Sequence, residues 1–167
     1  VGDLEQLHGP ADMTSPAFAR VSGRLARAKR ENPDIKGIYV MREDVAAGDF
    51  VFVADAQPFD VDRDGNGVIS ADERGAPTGQ RYNGSAYPAM HKTLKSGRPQ
   101  TDEAFAVDAW GVSLSGYAPV GINGAVAQMF VGVDVGNKHL SELRRRLNLV
   151  LSAVAVAVVL VAAALTF

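Results

Sequence analysis

Hydrophobic and polar positions change their period several times along the chain, and each change marks an element. Residues 3–7 can start a short helix. Ser15-Pro16 then supplies an N-cap followed by proline at the first helical position. Phe18, Val21, Leu25 and Ala28 recur at helical spacing, with Arg20, Arg24, Arg27, Lys29 and Arg30 mostly facing water, and Asn32-Pro33 ends the helix. Ile35–Met41 and Phe50–Ala54 read as strands separated by the turn-like stretch 43–49, which predicts a hairpin.

An aspartate- and glycine-rich insertion covers residues 55–80. A short helix is expected from Tyr87 to Lys95, closed by Ser96-Gly97 with Pro99 beyond. Three strands follow at Ala104–Val107, Gly111–Pro119 and Val126–Val135, with Asn123-Gly124 as the last hairpin turn. His139–Arg146 continues as an exit helix. The pattern predicts an α+β fold: a central antiparallel sheet of about five strands, a long N-terminal helix, and helices on one face.

The tail is physically different from the rest. All 17 basic and 19 acidic residues of the 167 precede Leu147, and the 21 residues 147–167 carry no charge. A helix of that length spans about 30 Å, the thickness of a bilayer's hydrocarbon core. The run is apolar on every face, without the stripe of a surface helix. Residues 147–167 are therefore expected to be a transmembrane span, with the lipid bilayer as partner. Arg144, Arg145 and Arg146 directly before it would, by themselves, place the preceding domain in the cytoplasm.

Composition narrows the function further. A net charge of -2 without a sustained basic stretch argues against nucleic acid as a partner. The absence of cysteine excludes a disulfide scaffold, a thiolate nucleophile and a thiolate metal site. His8, His91 and His139 are scattered, Ser113 and Ser115 lack a nucleophile elbow, and Gly121–Gly124 fits a hairpin rather than a phosphate cradle. No catalytic residue is assigned, and no enzyme activity is expected within the chain. The chain opens at Val1 without a methionine or signal peptide and reads as a segment of a longer protein.

The strongest local chemistry lies in residues 62–73, Asp-Arg-Asp-Gly-Asn-Gly-Val-Ile-Ser-Ala-Asp-Glu. An EF-hand loop needs side-chain oxygens at its first, third and fifth positions, glycine at the sixth, a backbone carbonyl at the seventh and a bidentate glutamate at the twelfth. Asp62, Asp64, Asn66, Gly67, Val68 and Glu73 meet these needs, and Ser70 stands at the ninth position. Calcium, Ca2+, is the expected cofactor, with Asp62, Asp64, Asn66, Val68, Ser70 and Glu73 as ligands. Magnesium suits so many oxygens less well. Pro58 and Arg74-Gly75-Ala76-Pro77 leave no room for two long flanking helices, so calcium is expected to clip the insertion into shape rather than open a helix pair.

The second half reads Tyr87-Pro88-Ala89-Met90, Leu94-Lys95-Ser96-Gly97, Asp108-Ala109-Trp110-Gly111, Leu114-Ser115-Gly116-Tyr117-Ala118-Pro119-Val120 and Val131-Gly132-Val133-Asp134-Val135. The first half has Asp12-Met13-Thr14-Ser15-Pro16 before the long helix and Ile38-Tyr39-Val40-Met41-Arg42 in the first strand. In this order and spacing, residues 1–140 resemble the Cache (PAS-like, PDC-type) extracytoplasmic sensor domains of bacterial transmembrane receptors. The calcium loop departs from the family pattern as an insertion after the second strand.

The resemblance implies a sensor domain at 1–140, an exit helix and span at 141–167, and a cytoplasmic output domain beyond: a histidine kinase, a nucleotide cyclase or a chemotaxis module. It implies a periplasmic or extracellular location on the cell inner membrane, against the local arginine bias, and a homodimer formed through the long helix. It also implies a small-molecule pocket on the sheet, which Tyr39, Met41, Arg42, Trp110, Ser115, Tyr117 and Asp134 would line. Arg42 would pair with a carboxylate there and Asp134 with an amine. The alternative for Tyr39, Trp110 and Tyr117 is a place in the core, and for Asp134 the ordering of a loop. A membrane-anchored calcium-binding structural or adhesion module without a pocket is the competing function.

Overall fold

The computed structural model describes residues 2–62, 64–120 and 127–136. The chain divides after Gly136 into Val1–Gly136 and Asn137–Phe167. The second unit, with the expected exit helix at 139–146 and the span at 147–167, lies outside the described residues. So does the Asn123-Gly124 turn. Among the described residues no helix is long and apolar enough to cross a membrane.

The order of elements follows the sequence pattern. A 3-10 turn at Leu4–Gln6 leads to the helix α1, Pro16–Glu31, where the Ser15 hydroxyl accepts the Phe18 N–H at 3.1 Å and Pro16 opens the first turn. Strands β1, Ile35–Asp44, and β2, Asp49–Asp55, form the first hairpin. After the insertion come β3, Arg81–Tyr82, then the helix α2, Pro88–Ser96, then β4, Gln100–Thr101, and β5, Ala106–Asp108. The last two strands are β6, Gly111–Val120, and β7, Met129–Gly136.

The sheet has seven strands rather than about five, all antiparallel, in the order β3-β2-β1-β7-β6-β4, with β5 also paired to β6. The five expected strands are present. The two additions, β3 and β4, are two-residue edge pairings too short to produce a period in the sequence.

The helices do not share one face of the sheet, as expected, but cover both. Phe18, Val21 and Leu25 of α1 pack with Leu4 and Leu7 on Val40, Val53 and Ala54. Met90 and Leu94 of α2 pack with Phe50, Tyr117, Phe130 and Met41 on the other side. That is why Ile38 to Met41 are buried in succession instead of alternating. Burial of Phe50 and Phe130, both at 0% exposure and 5.3 Å apart edge-to-face, anchors the second core.

Two irregularities position the functional face. Val53 is an extra residue in β2, because Val40 pairs with Ala54 and Met41 with Phe52. Its carbonyl accepts the buried Thr78 hydroxyl at 3.0 Å, which brings the returning end of the insertion onto the β2 edge. Lys36 is an extra residue in β1, between the pairs Ile35–Val135 and Gly37–Asp134.

Candidate functional site

A pocket of about 540 Å3, open mouth included, lies on the sheet face that carries Tyr39 and Met41. Strand alternation builds its floor: Gly37, Tyr39 and Met41 come from β1, Phe52 and Asp55 from β2, and Asp134 from β7. Tyr39 pairs with Asp55 on one side, and Gly37 pairs with Asp134 on the other, so the two carboxylates flank the middle of β1. Gly37 keeps the space between them clear, since a Cβ there would stand 3.1 Å from Asp134 Oδ2.

Aromatic rings form the wall. Phe52 lies 5.6 Å from Tyr39, 6.1 Å from Tyr82 and 5.5 Å from Trp110, centroid to centroid. Trp110 sits on the turn between β5 and β6, held by its own N–H to Asp108 Oδ1 at 2.8 Å. Its indole N–H donates to the Arg74 carbonyl at 3.0 Å, which ties the wall to the insertion.

The polar groups are internally engaged. The Tyr39 hydroxyl donates to Asp134 Oδ1 at 3.0 Å, and Ser115, the β6 register partner of Asp134, also hydrogen-bonds that carboxylate. The Tyr82 hydroxyl donates to Asp108 Oδ2 at 3.2 Å. The Lys36 ammonium donates to the carbonyls of Trp110 and Val112. Asp55 accepts the Gln57 N–H at 2.8 Å and the Ala76 N–H at 3.2 Å, and so clamps both ends of the insertion to β2.

Burial dominates the electrostatics. It pushes Asp55 up to about 6, against the opposing effect of its two N–H donors. Burial likewise raises Asp134, offset in part by Ser115 and Tyr39. The Tyr39 and Tyr82 hydroxyls are raised by burial as well, and stay protonated donors.

Four of the seven expected pocket residues, Tyr39, Met41, Trp110 and Asp134, line this cavity, and Ser115 supports Asp134 from beneath. Tyr117 does not line it. Its ring is buried against Phe130 and its hydroxyl donates to Asp102 at 3.1 Å, a core position. Arg42 is on the opposite face, because it follows Met41 in a regular strand. Its guanidinium lies 3.5 Å from the Leu7 carbonyl and 3.4 Å from His8 Nδ1. Lys36, Phe52, Asp55, Tyr82 and Asp108 join the pocket through register and turns that no local sequence pattern announces.

The insertion carries the second site. Carboxylate oxygens of Asp62, Asp64 and Glu73 lie within 4.8 Å of one another. Asp62 accepts the N–H groups of Gly65 and Gly67, both at 2.8 Å, and these two glycines take the left-handed φ values, 72° and 83°, that let the loop coil round the acids. Glu73 is 4% exposed; its carboxylate accepts the Asp64 N–H at 3.2 Å and both the N–H and hydroxyl of Ser70. Asn66 is turned to the loop itself, accepting the Val68 N–H and donating to Asp64. Oxygens gathered at this spacing suit the 2.3–2.6 Å bonds of calcium. β2 precedes the loop, whose last three residues, Ala71–Glu73, form a one-turn 3-10 helix, and among the described residues no pair of long helices flanks it.

The two sites share a wall. Glu73 ends the loop and its carbonyl accepts the Gln57 side chain at 2.5 Å, while Arg74, the next residue, lines the pocket.

No protein-family model matches the chain, and no curated protein matches it. It is similar to solved structures. One is the extracellular domain of a protein assigned as a histidine kinase, mmHK1S-Z2, at 18% identity, covering 77% of this chain and 49% of that one, with a TM-score of 0.44. Another is the extracellular domain of a protein likewise assigned as a histidine kinase, soHK1S-Z6, at 12% identity, covering 84% and 52%, with a TM-score of 0.44. The chain spans about half the length of these two structures.

Proposed function

We propose that this chain is the sensory part of a bacterial membrane signalling receptor. In this reading residues 1–136 lie outside the cell or in the periplasm and bind a small molecule in the sheet pocket. The loop 62–73 holds Ca2+, and the signal passes through 137–167 to a cytoplasmic output domain of histidine kinase, nucleotide cyclase or chemotaxis type. The observation that carries the reading is the pocket itself: polar groups and aromatic rings from β1, β2, β7, the β5–β6 turn and the insertion converge on one cavity.

The proposed relay follows from chain continuity. Asp134 stands two residues before the end of β7, a strand held between β1 and β6. A ligand that draws on Asp134 acts on the strand that leads directly into the exit segment. Calcium at 62–73 would fix Arg74 and, through the Trp110 indole, the pocket wall. Pairing of two copies through α1 is part of the proposal.

A thermal-shift screen of small metabolites on the whole chain, with and without calcium, tests the reading. Compounds that raise the melting temperature of the native chain and lose that effect in Asp134→Asn support it. Failure of every metabolite class would favour the structural module.

A further inference from the structure

We infer that a second cavity, on the α1 side of the sheet, binds a tetrahedral oxyanion such as inorganic phosphate. It lies on the opposite face from the sheet pocket and does not depend on that pocket's ligand.

The cavity measures about 780 Å3, open mouth included, and its lining includes His8, Arg42, Asp44, Val51, Gly79 and Arg81. Sheet register builds it. Arg42 of β1 pairs with Val51 of β2, and Val51 with Arg81 of β3, so the two arginines stand in one row with the valine between them. Paired residues share a face, and strands about 4.8 Å apart set the two arginine Cα atoms about 10 Å from each other. Side chains of that length can converge above Val51. Gly79 is buried with a left-handed φ of 90°, and a Cβ there would stand 3.2 Å from Gly9 Cα and 3.3 Å from Pro10 Cδ. The glycine thus lets residues 8–10 close over this edge, which brings His8 to the cavity.

The donors identify the ligand. Arg42 engages one nitrogen, Nη1, which lies 3.5 Å from the Leu7 carbonyl and 3.4 Å from His8 Nδ1. Its Nε–Nη2 edge, the fork that grips an anion's oxygens, has no partner among the described residues. A guanidinium cannot accept a hydrogen bond, so His8 Nδ1 is the acceptor and the ring proton sits on Nε2, a further donor. Arg81 is held by Asp44 through Nη2 alone, which leaves its Nε and Nη1 donors.

The neighbouring acids do not answer Arg42. Asp44 is bound to Arg81, and the Glu43 carboxylate meets His91 of α2 at 3.4 Å, where that ring packs on Phe50 in the other core. Among the described residues Arg42 pairs with no carboxylate, so its charge stands uncompensated. Donors reach the cavity from β1, from β3 and from the N-terminal segment. A planar carboxylate is filled by one guanidinium fork, whereas tetrahedral oxygens accept from all three directions. An ion bound there ties the Leu7–His8 segment to the first hairpin and to β3.

Calorimetry on the whole chain in detergent, without added calcium, tests this with inorganic phosphate and sulfate, and with acetate and succinate at equal ionic strength. Saturable binding of phosphate or sulfate is expected, weaker by about tenfold or more in Arg42→Gln. Arg81→Lys, which keeps the charge opposite Asp44 but loses the fork, is expected to weaken it as well. Arg42→Lys takes the place of Arg42→Gln if circular dichroism shows the latter unfolded. Arg98→Gln, at an exposed position after α2, is expected to leave binding unchanged. Absence of saturable phosphate and sulfate binding up to tens of millimolar in a folded chain would overturn the inference. So would binding that is unaltered in a folded Arg42 variant, lost equally in Arg98→Gln, or matched by acetate and succinate.

Discussion

Asp55 couples the pocket to the pH dependence of stability. Its carboxyl ionises near the usual value in the unfolded chain but at about 6 in the folded one, because burial outweighs the Gln57 and Ala76 N–H bonds. Between pH 4 and 6 the native state therefore holds a proton that the unfolded state has released, and stability falls as pH rises. A shift of about 2 units corresponds to about 3 kcal/mol at most, fully present below the unfolded value and lost above about pH 6. Asp102 and Asp134 are also raised by burial and act in the same direction. Asp3, held low by Arg20, and Asp12, held low by the His8 and Gly9 N–H groups, lose their contribution only at lower pH. Asp55→Asn removes one titration and loses one N–H acceptor at about 1 kcal/mol. The variant is expected to be about 2 kcal/mol more stable than the native chain above pH 7 and to show a flatter profile between pH 4 and 6. Urea titrations at a series of pH values, followed by Trp110 emission, measure this. An unchanged slope in Asp55→Asn, or native stability that rises from pH 4 to 6, would refute the reasoning.

Further substitutions address other parts of the account. Gly132→Ala places a Cβ within 2.2–2.8 Å of the Tyr39 ring, so the ring must leave its place and its bond to Asp134; a loss of about 1–3 kcal/mol in urea unfolding is expected. Ser15→Ala removes the cap on Phe18 N–H and should cost about 1 kcal/mol by the same measurement, with the pocket unaffected. Glu73→Gln should weaken calcium binding in calorimetry by about tenfold or more. In the native chain calcium should protect residues 55–80 from protease; equal resistance after chelation would contradict the clip.

Much of the fold is legible in the sequence because its signals are local. The Ser15-Pro16 cap and the apolar runs of β1, β2, β6 and β7 between turn residues each announce an element without reference to the rest. The coverage of both sheet faces is less plain, although the unbroken burial of Ile38–Met41 is its signature. Arg42 is a misassignment that alternation itself corrects: a residue adjacent to Met41 in a strand points the other way. Tyr117 shares a face with Ser115 but lies under α2, and only tertiary packing separates core from pocket there. Asp55, Asp108 and Lys36 were not legible, because a bulge, a turn and a strand register bring them together from distant positions.

The central claim is that a molecule in the sheet pocket acts on β7. The most direct measurement is the amide and indole spectrum of the isotope-labelled chain during titration with a compound from the thermal-shift screen. The account predicts that the single indole resonance and the Gly37, Tyr39 and Asp55 amides shift together, with Asp134, Val135 and Gly136 following at the same ligand concentration. Shifts that leave Trp110 and the end of β7 in place would contradict it.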